Sequence, residues 1–464
     1  MRKALILLIF LVAADLISAQ NVTIRGKTNV RNAIVRLFVY NELITNELTL
    51  SDNAKSDSEG RFSLKTNIDE VVPAQIAVDL QRVDIILKPS SEYEIEINVP
   101  EKDDEKSYFE QEKPSLTITK TGDGGLYRDY VAAQQIIDDY LYENFNTIYR
   151  GRNIKVLDTL DVRISKIIAK NHDKYIDEYI LYRKASIINA IKKDGGKYVV
   201  AQYFDEKPMI TNVSSYGVLF EDIFSKYLKS NTFDVFELIK PSVLDYVCGK
   251  DEFLKRNREI AEAVVILNLK RIYYEGIGYN DNSYKDKIIN YLSKTFPSQA
   301  KSEKTKRLAK DVLIQLRRLS YDSDAPAFAL SDGEKIIKLS DFNKDLVVLQ
   351  FVEKPNPMVN EQFDQLAQMA AQWGNDVKII TIATKDGFEP MKAFFREKNI
   401  KWTLLNLGDD ILLLEDYHVR MMPDYFIIKP EGRIGMAPAP EPEQNLFYHV
   451  ARVRRNIAGL KKNM

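Results

Sequence analysis

The residue types that most often carry chemistry are scarce in this chain. Its 464 residues include one cysteine, Cys248, and three histidines. A dithiol–disulfide cycle needs two thiols that can reach each other, so this chain cannot run one alone. A single cysteine forms no internal disulfide, and the scattered histidines make no zinc-type ligand set with it. Cys248 follows Tyr246-Val247 and precedes Gly249, and it is expected to behave as a small buried hydrophobe. The 66 basic and 67 acidic residues leave a net charge of −1, which argues against a strongly basic nucleic-acid binder. Neither a metal nor a cofactor is expected. Carboxylates, amines and phenols remain. Glu353 and Lys354 follow an apolar run, at the strand end where a parallel sheet usually presents its site. Eight tyrosines fall between Tyr127 and Tyr182. They are expected to pack between helices with their hydroxyls reaching the surface. An aromatic-lined ligand groove is the alternative.

Three kinds of segment must position these residues. Residues 20–100 read as a small β-sandwich. Val22-Thr23-Ile24 and Ile34 to Val39 alternate, Ser56 to Gly60 is a turn cluster, and Arg61 to Leu64, Val83 to Leu87 and Tyr93 to Val99 follow as strands. The stretch AKSDSEGRFSLKT, residues 54–66, resembles the turn and strand of prealbumin-like or carrier-type sandwich domains of exported bacterial proteins. Residues 101–125 read as a linker. They hold the charge run Glu101 to Lys106, a candidate last strand at Leu116 to Thr119, and the chain break Gly122 to Gly125. Residues 126–320 read as all-α. Val131, Ile136, Tyr140 and Leu141 suggest one stripe, Leu157, Leu160, Ile164, Ile167 and Ile168 a second, and Ile260, Val264, Leu267 and Ile272 a third.

From 325 the pattern changes to α/β. Leu346 to Val352 is continuously apolar, as a buried parallel strand should be. Asn356 suits a helix N-cap with Pro357 at the first helical position. Phe363, Leu366, Ala370 and Trp373 make the buried stripe of that helix, and Gly374-Asn375 ends it. Val377 to Ala383, a crossover helix over Pro390 to Lys398, and Trp402 to Leu405 continue the alternation, which predicts a parallel sheet. The segments APAFALSDGEKIIKLSDF (325–342) and YHVRMMPDYFIIKPEGRI (417–434) resemble thioredoxin-like domains. The first looks like their opening hairpin and the second like their proline segment, core strand and Pro-Glu-Gly turn. The whole chain resembles the exported, multidomain TlpA-type thioredoxin-like proteins of Bacteroidetes-like bacteria, with the thioredoxin-like part at 325–464.

That resemblance implies a cis bond at Met422–Pro423 and a reactive Cys-x-x-Cys where this chain reads Pro355-Asn356-Pro357-Met358-Val359. Alignment by the strand puts Asn356 and Val359 in the cysteine positions. Alignment by Glu361 puts Pro355 and Met358 there. Neither supplies a thiol, and a peroxiredoxin-type cysteine is absent for the same reason. The expected function is therefore binding without redox chemistry. A groove of Asn356, Met358, Met422 and Pro423 would hold a peptide, protein or other envelope component, by analogy with the extended polypeptide that the family's groove takes. A hydrolase or other non-redox enzyme using Glu353, Lys354, His418 or Asp424 is the second expectation. A scaffold acting through its middle helices is the third.

Residues 1–19 read as a signal peptide. Arg2-Lys3 is basic, Ala4 to Ala14 is apolar, and Ile17-Ser18-Ala19 offers a cleavage point before Gln20. The apolar run is too short to span a bilayer. No cysteine follows it to accept a lipid, and no later segment is apolar for long enough. The expected location is the periplasm or cell envelope.

Overall fold

The computed structural model describes residues 21–101, 112–168, 172–192, 194–275, 283–419 and 421–462. The expected signal peptide, and most of the charge run, lie outside the described residues. The chain forms two compact units, Met1–Leu313 and Ile314–Met464.

The first unit opens with eight strands: β1 Val22–Thr28, β2 Ile34–Glu42, β3 Glu47–Lys55, β4 Arg61–Thr66, β5 Val72–Val78, β6 Gln81–Leu87, β7 Glu92–Asn98 and β8 Ser115–Thr121. They make two four-stranded sheets, ordered β4-β1-β7-β8 and β3-β2-β5-β6. Val22, Ile24, Leu37, Leu64, Ile76, Ile85 and Ile95 from both sheets share one core. The pleat sends alternate residues inward, as Phe62, Leu64 and Thr66 of β4 show. β8 pairs with β7, Ile97 opposite Leu116. The stretch expected as linker therefore supplies the last strand of the sandwich.

The outer face of the β3-β2-β5-β6 sheet is apolar too. Phe38 and Ile86 are buried there, and each faces away from its core-facing neighbour, Leu37 or Ile85. A sheet apolar on both faces needs a cover on each. The helical region supplies the second. Helix α1, Leu126–Glu143, packs on β6. Helices α2 Leu157–Ile167, α3 Lys174–Lys192, α4 Ser214–Phe224, α5 Arg258–Glu275 and α6 Glu303–Arg317 follow, with shorter turns between them. In α4, a Cβ on Gly217 would sit 2.3 Å from the Leu43 carbonyl oxygen, so glycine allows that close approach. The Leu43 N–H donates to the Thr211 carbonyl at 2.9 Å, and the Asn212 amide donates to the Val71 carbonyl at 3.0 Å. Sandwich and helices thus form one unit rather than two.

Two expectations change here. The buried stripe of α1 is Leu126, Ala133, Ile137 and Tyr140, while Val131 is exposed. The helix is turned so that Val131 belongs to a different face. Cys248 is half-buried, not buried, and its sulfur lies 3.6 Å from Arg258 Nη1.

The second unit holds β9 Ala329–Ser331, β10 Ile336–Lys338, β11 Leu346–Val352, β12 Val377–Ala383, β13 Thr403–Asn406, β14 Asp424–Lys429 and β15 Arg433–Ala439. Their order is β10-β9-β13-β12-β11-β14-β15. The adjacent pairs β11–β12 and β12–β13 are parallel. β14 runs antiparallel to β11, so the expected parallel sheet is mixed. Helices α7 Pro357–Trp373, α8 Phe388–Glu397 and α9 Leu446–Lys462 complete the unit. Leu366 and Trp373 of α7 pack with Leu346, Val348, Ile427 and the α9 residues Leu446 and Val450. Val359 and Phe363 pack with Val352, Met391 and Phe394.

Candidate binding site at one end of the second sheet

β11 is buried throughout and ends at Val352. Glu353 then turns outward and Lys354 is half-buried. At Asn356 the backbone is extended, and its side-chain oxygen accepts the Val359 N–H at 2.9 Å. That bond satisfies one of the orphan donors at the start of α7, and Pro357 lacks an N–H to satisfy. The Asn356 oxygen is thus held by the cap. Met358 is 47% exposed, whereas Val359 is 1% exposed and belongs to the core. Of the residues expected in the cysteine positions, Val359 faces inward and Met358 outward.

The other side of the site is the start of β14. Asp424 pairs opposite Phe351, which brings 422–424 to the same sheet end as Glu353. The Met422–Pro423 bond is cis, as the resemblance implied, and Ala437–Pro438 is a second cis bond. Pro423 is buried, Met422 half-buried and Met421 exposed. His418 lies exposed with positive φ on the turn after the helix Ile411–Asp416, its N–H donating to the Glu415 carbonyl. Glu353, Lys354 and Asp424 therefore share one sheet end, with His418 on the turn leading into it.

Burial pushes the Asp424 carboxyl up to about 6. The hydrogen bond from the Tyr425 N–H opposes this, and the charge of Glu441 adds to it. Glu441 is itself raised, by burial and then by its hydrogen bond with Glu443. The Tyr425 hydroxyl donates to Gln362 Oε1 at 2.7 Å, and Gln362 Nε2 donates to Glu443 Oε1 at 3.0 Å. Gln362 and Tyr425 are both buried. Sequence reasoning found Asp424 but not Gln362, Glu441 or Glu443. The available signal was spacing, because Gln362 sits three residues after Val359 and four before Leu366, on the buried face of α7.

This end of the sheet holds no thiol, since the chain's one cysteine lies in the first unit. Burial pushes the Cys248 thiol up, with Arg258 opposing, so it is a poor thiolate. Among the described residues, no group of three or more His, Cys, Asp or Glu side chains is placed to hold a metal. Also among them, no helix is long and apolar enough to cross a membrane. The arrangement offers a half-exposed thioether beside a backbone turn, and one carboxyl, Asp424, raised to about 6.

The AhpC/TSA family model matches residues 322–437, so the second unit carries a thioredoxin-like domain of that family. Similar solved structures include a thiol:disulfide interchange protein from Bacteroides sp. It is 22% identical, with a TM-score of 0.27, and the match covers 29% of this chain and 90% of that one. A putative thiol:disulfide interchange protein DsbE from Chlorobium tepidum is 19% identical, with a TM-score of 0.27, over 29% of this chain and 97% of that one. A secreted disulfide oxidoreductase from Mycobacterium tuberculosis is 22% identical, with a TM-score of 0.24, over 29% and 97%. No curated protein matches.

Proposed function

We propose that this is an exported, TlpA-type protein whose thioredoxin-like domain, taken as 325–464, binds without redox chemistry. Its ligand is an extended segment of a peptide or protein of the cell envelope, held along Asn356, Met358, Met422 and Pro423. Residues 20–100, joined by β8 at Ser115–Thr121, form its sandwich and 126–320 its helical part, after a signal peptide ending at Ala19. One observation carries the reading. In a domain that the AhpC/TSA model matches, the cap and first turn of α7 read Asn-Pro-Met-Val, with the Asn356 oxygen held by the Val359 N–H and Met358 facing outward. Methionine side chains are flexible and polarisable, and suit varied partners. The test is crosslinking capture from the native envelope with wild type and Met422→Glu. Capture should fall in the variant at an unchanged melting temperature, and insulin should not be reduced by either protein. Equal capture by a folded variant, or insulin turnover that survives Cys248→Ser, ends this reading.

A second reading rests on Asp424. A carboxyl raised to about 6 at a sheet end is suited to general acid–base work, so a non-redox enzyme, such as a hydrolase, is the alternative. Activity lost in Asp424→Asn with partner capture intact favours it.

A further inference from the structure

The sequence offered an aromatic groove among the early tyrosines that the second unit's site does not use. Helix α1 presents Tyr127, Tyr130, Val131 and Gln134 at spacings of three and four, so they share one face. This is the face that removes Val131 from the core stripe. It looks onto the outer face of the β3-β2-β5-β6 sheet. Between them lies a cavity of about 230 Å³, lined by those residues with Tyr40, Asn46, Asp84, Ser214 and an apolar floor that includes Pro73 and Ile86. All of it belongs to the first unit.

The lining is half ring and hydrocarbon, half hydrogen-bonding groups. Tyr40, Tyr127 and Tyr130 supply aromatic surface. Tyr130 is held from behind by Tyr179, edge to face at 4.8 Å. Burial raises the phenols of Tyr127 and Tyr130, with Asp84 adding to both, so the hydroxyls stay protonated and able to donate. The Asn46 and Gln134 amides donate and accept, and the Asp84 carboxylate accepts. Gln75 Nε2 donates to Asp84 Oδ1 at 3.0 Å and fixes that carboxylate. Among the described residues, no basic side chain lines the cavity, which disfavours an anion. A simple cation would use the one carboxylate and the rings and leave the Asn46 and Gln134 amides without a role. A sugar ring matches the whole lining, with C–H faces for the tyrosines and hydroxyls for the amides and the carboxylate. The volume lies below the ~300 Å³ usual for ligand pockets, which leaves room for one ring rather than a chain.

We propose that the cavity between α1 and the outer sheet face binds a single uncharged sugar ring. The rings of Tyr40, Tyr127 and Tyr130 stack on it, and Asp84, Gln134 and Asn46 bond its hydroxyls. This site is independent of the envelope-binding reading above. The test is titration calorimetry of the full chain with methyl glucoside, methyl galactoside, N-acetylglucosamine and, as the cationic control, choline. Saturable binding of at least one sugar is expected in the millimolar range typical of small polar ligands. Gln134→Ala and Asp84→Ala should each weaken it about tenfold or more at an unchanged melting temperature. If Asp84→Ala disturbs the fold, Gln134→Ala on the exposed helix face decides. Choline binding alone, no saturable binding of any of these sugars, or undiminished binding in folded variants overturns the proposal.

Discussion

Glu42 ends β2 almost wholly buried. Its carboxylate accepts the Thr45 N–H at 3.0 Å and the Thr45 hydroxyl at 3.1 Å. Burial still pushes it up to about 7 from an ordinary 4.5, with Asp311 adding to the shift. Burial likewise pushes Asp311 up to about 6. Lys270 nearby is lowered by burial, against the pull of Glu221, Glu47 and Glu42. Between about 4.5 and 7 the folded chain holds a proton on Glu42 that the unfolded chain has released. Stability conferred by that proton is full below this window, falls as pH rises through it and levels off above. Glu42→Gln keeps an accepting oxygen and never ionises. It should flatten this dependence and stabilise the first unit at pH 8 by about 1–3 kcal/mol. Urea denaturation at pH 5 and pH 8 measures it, and an unchanged difference between the two pH values refutes it. The sequence held no sign of this residue's burial, because the cover over that end of β2 comes from helices far along the chain.

At the scale of elements, the loop after β11 depends on Gly387 at the start of α8. A Cβ there would lie 1.6 Å from the Glu353 carbonyl oxygen, so backbone would have to move. Gly387→Ala should destabilise the second unit by about 1–3 kcal/mol, the usual cost of overpacking. A melting temperature equal to wild type would contradict that. Legibility varied by element for physical reasons. β11 and β12 were plain, because strands buried on both faces read as unbroken apolar runs. The cap at Asn356 was plain because its chemistry is local. β15 was not, since Gly435 and Pro438 weaken a strand signal. It pairs antiparallel with β14, which itself runs antiparallel to β11. The carboxylates near Asp424 were hidden too, because Glu443 meets Gln362, and the charge of Glu441 reaches Asp424, only through the tertiary fold.

The molecule as a whole is two compact units, and two units need not melt together. Both tryptophans, Trp373 and Trp402, fall in the second, so tryptophan fluorescence follows that unit alone. Gly387→Ala should shift the fluorescence midpoint in urea. Glu42→Gln should leave it in place while moving the far-ultraviolet circular dichroism curve. A fluorescence midpoint that follows Glu42→Gln would mean that the units unfold as one. The sandwich has its own temporal logic. β1 lies inside its sheet, antiparallel to β4 on one side and parallel to β7 on the other, with Thr23 opposite Glu92. A chain leaving the ribosome therefore exposes Val22 and Ile24 long before either neighbour exists. The sheet closes only after β8 has been made, so the earliest residues of the fold are among the last to be sheltered, and a factor that holds nascent chains has its longest opportunity at β1.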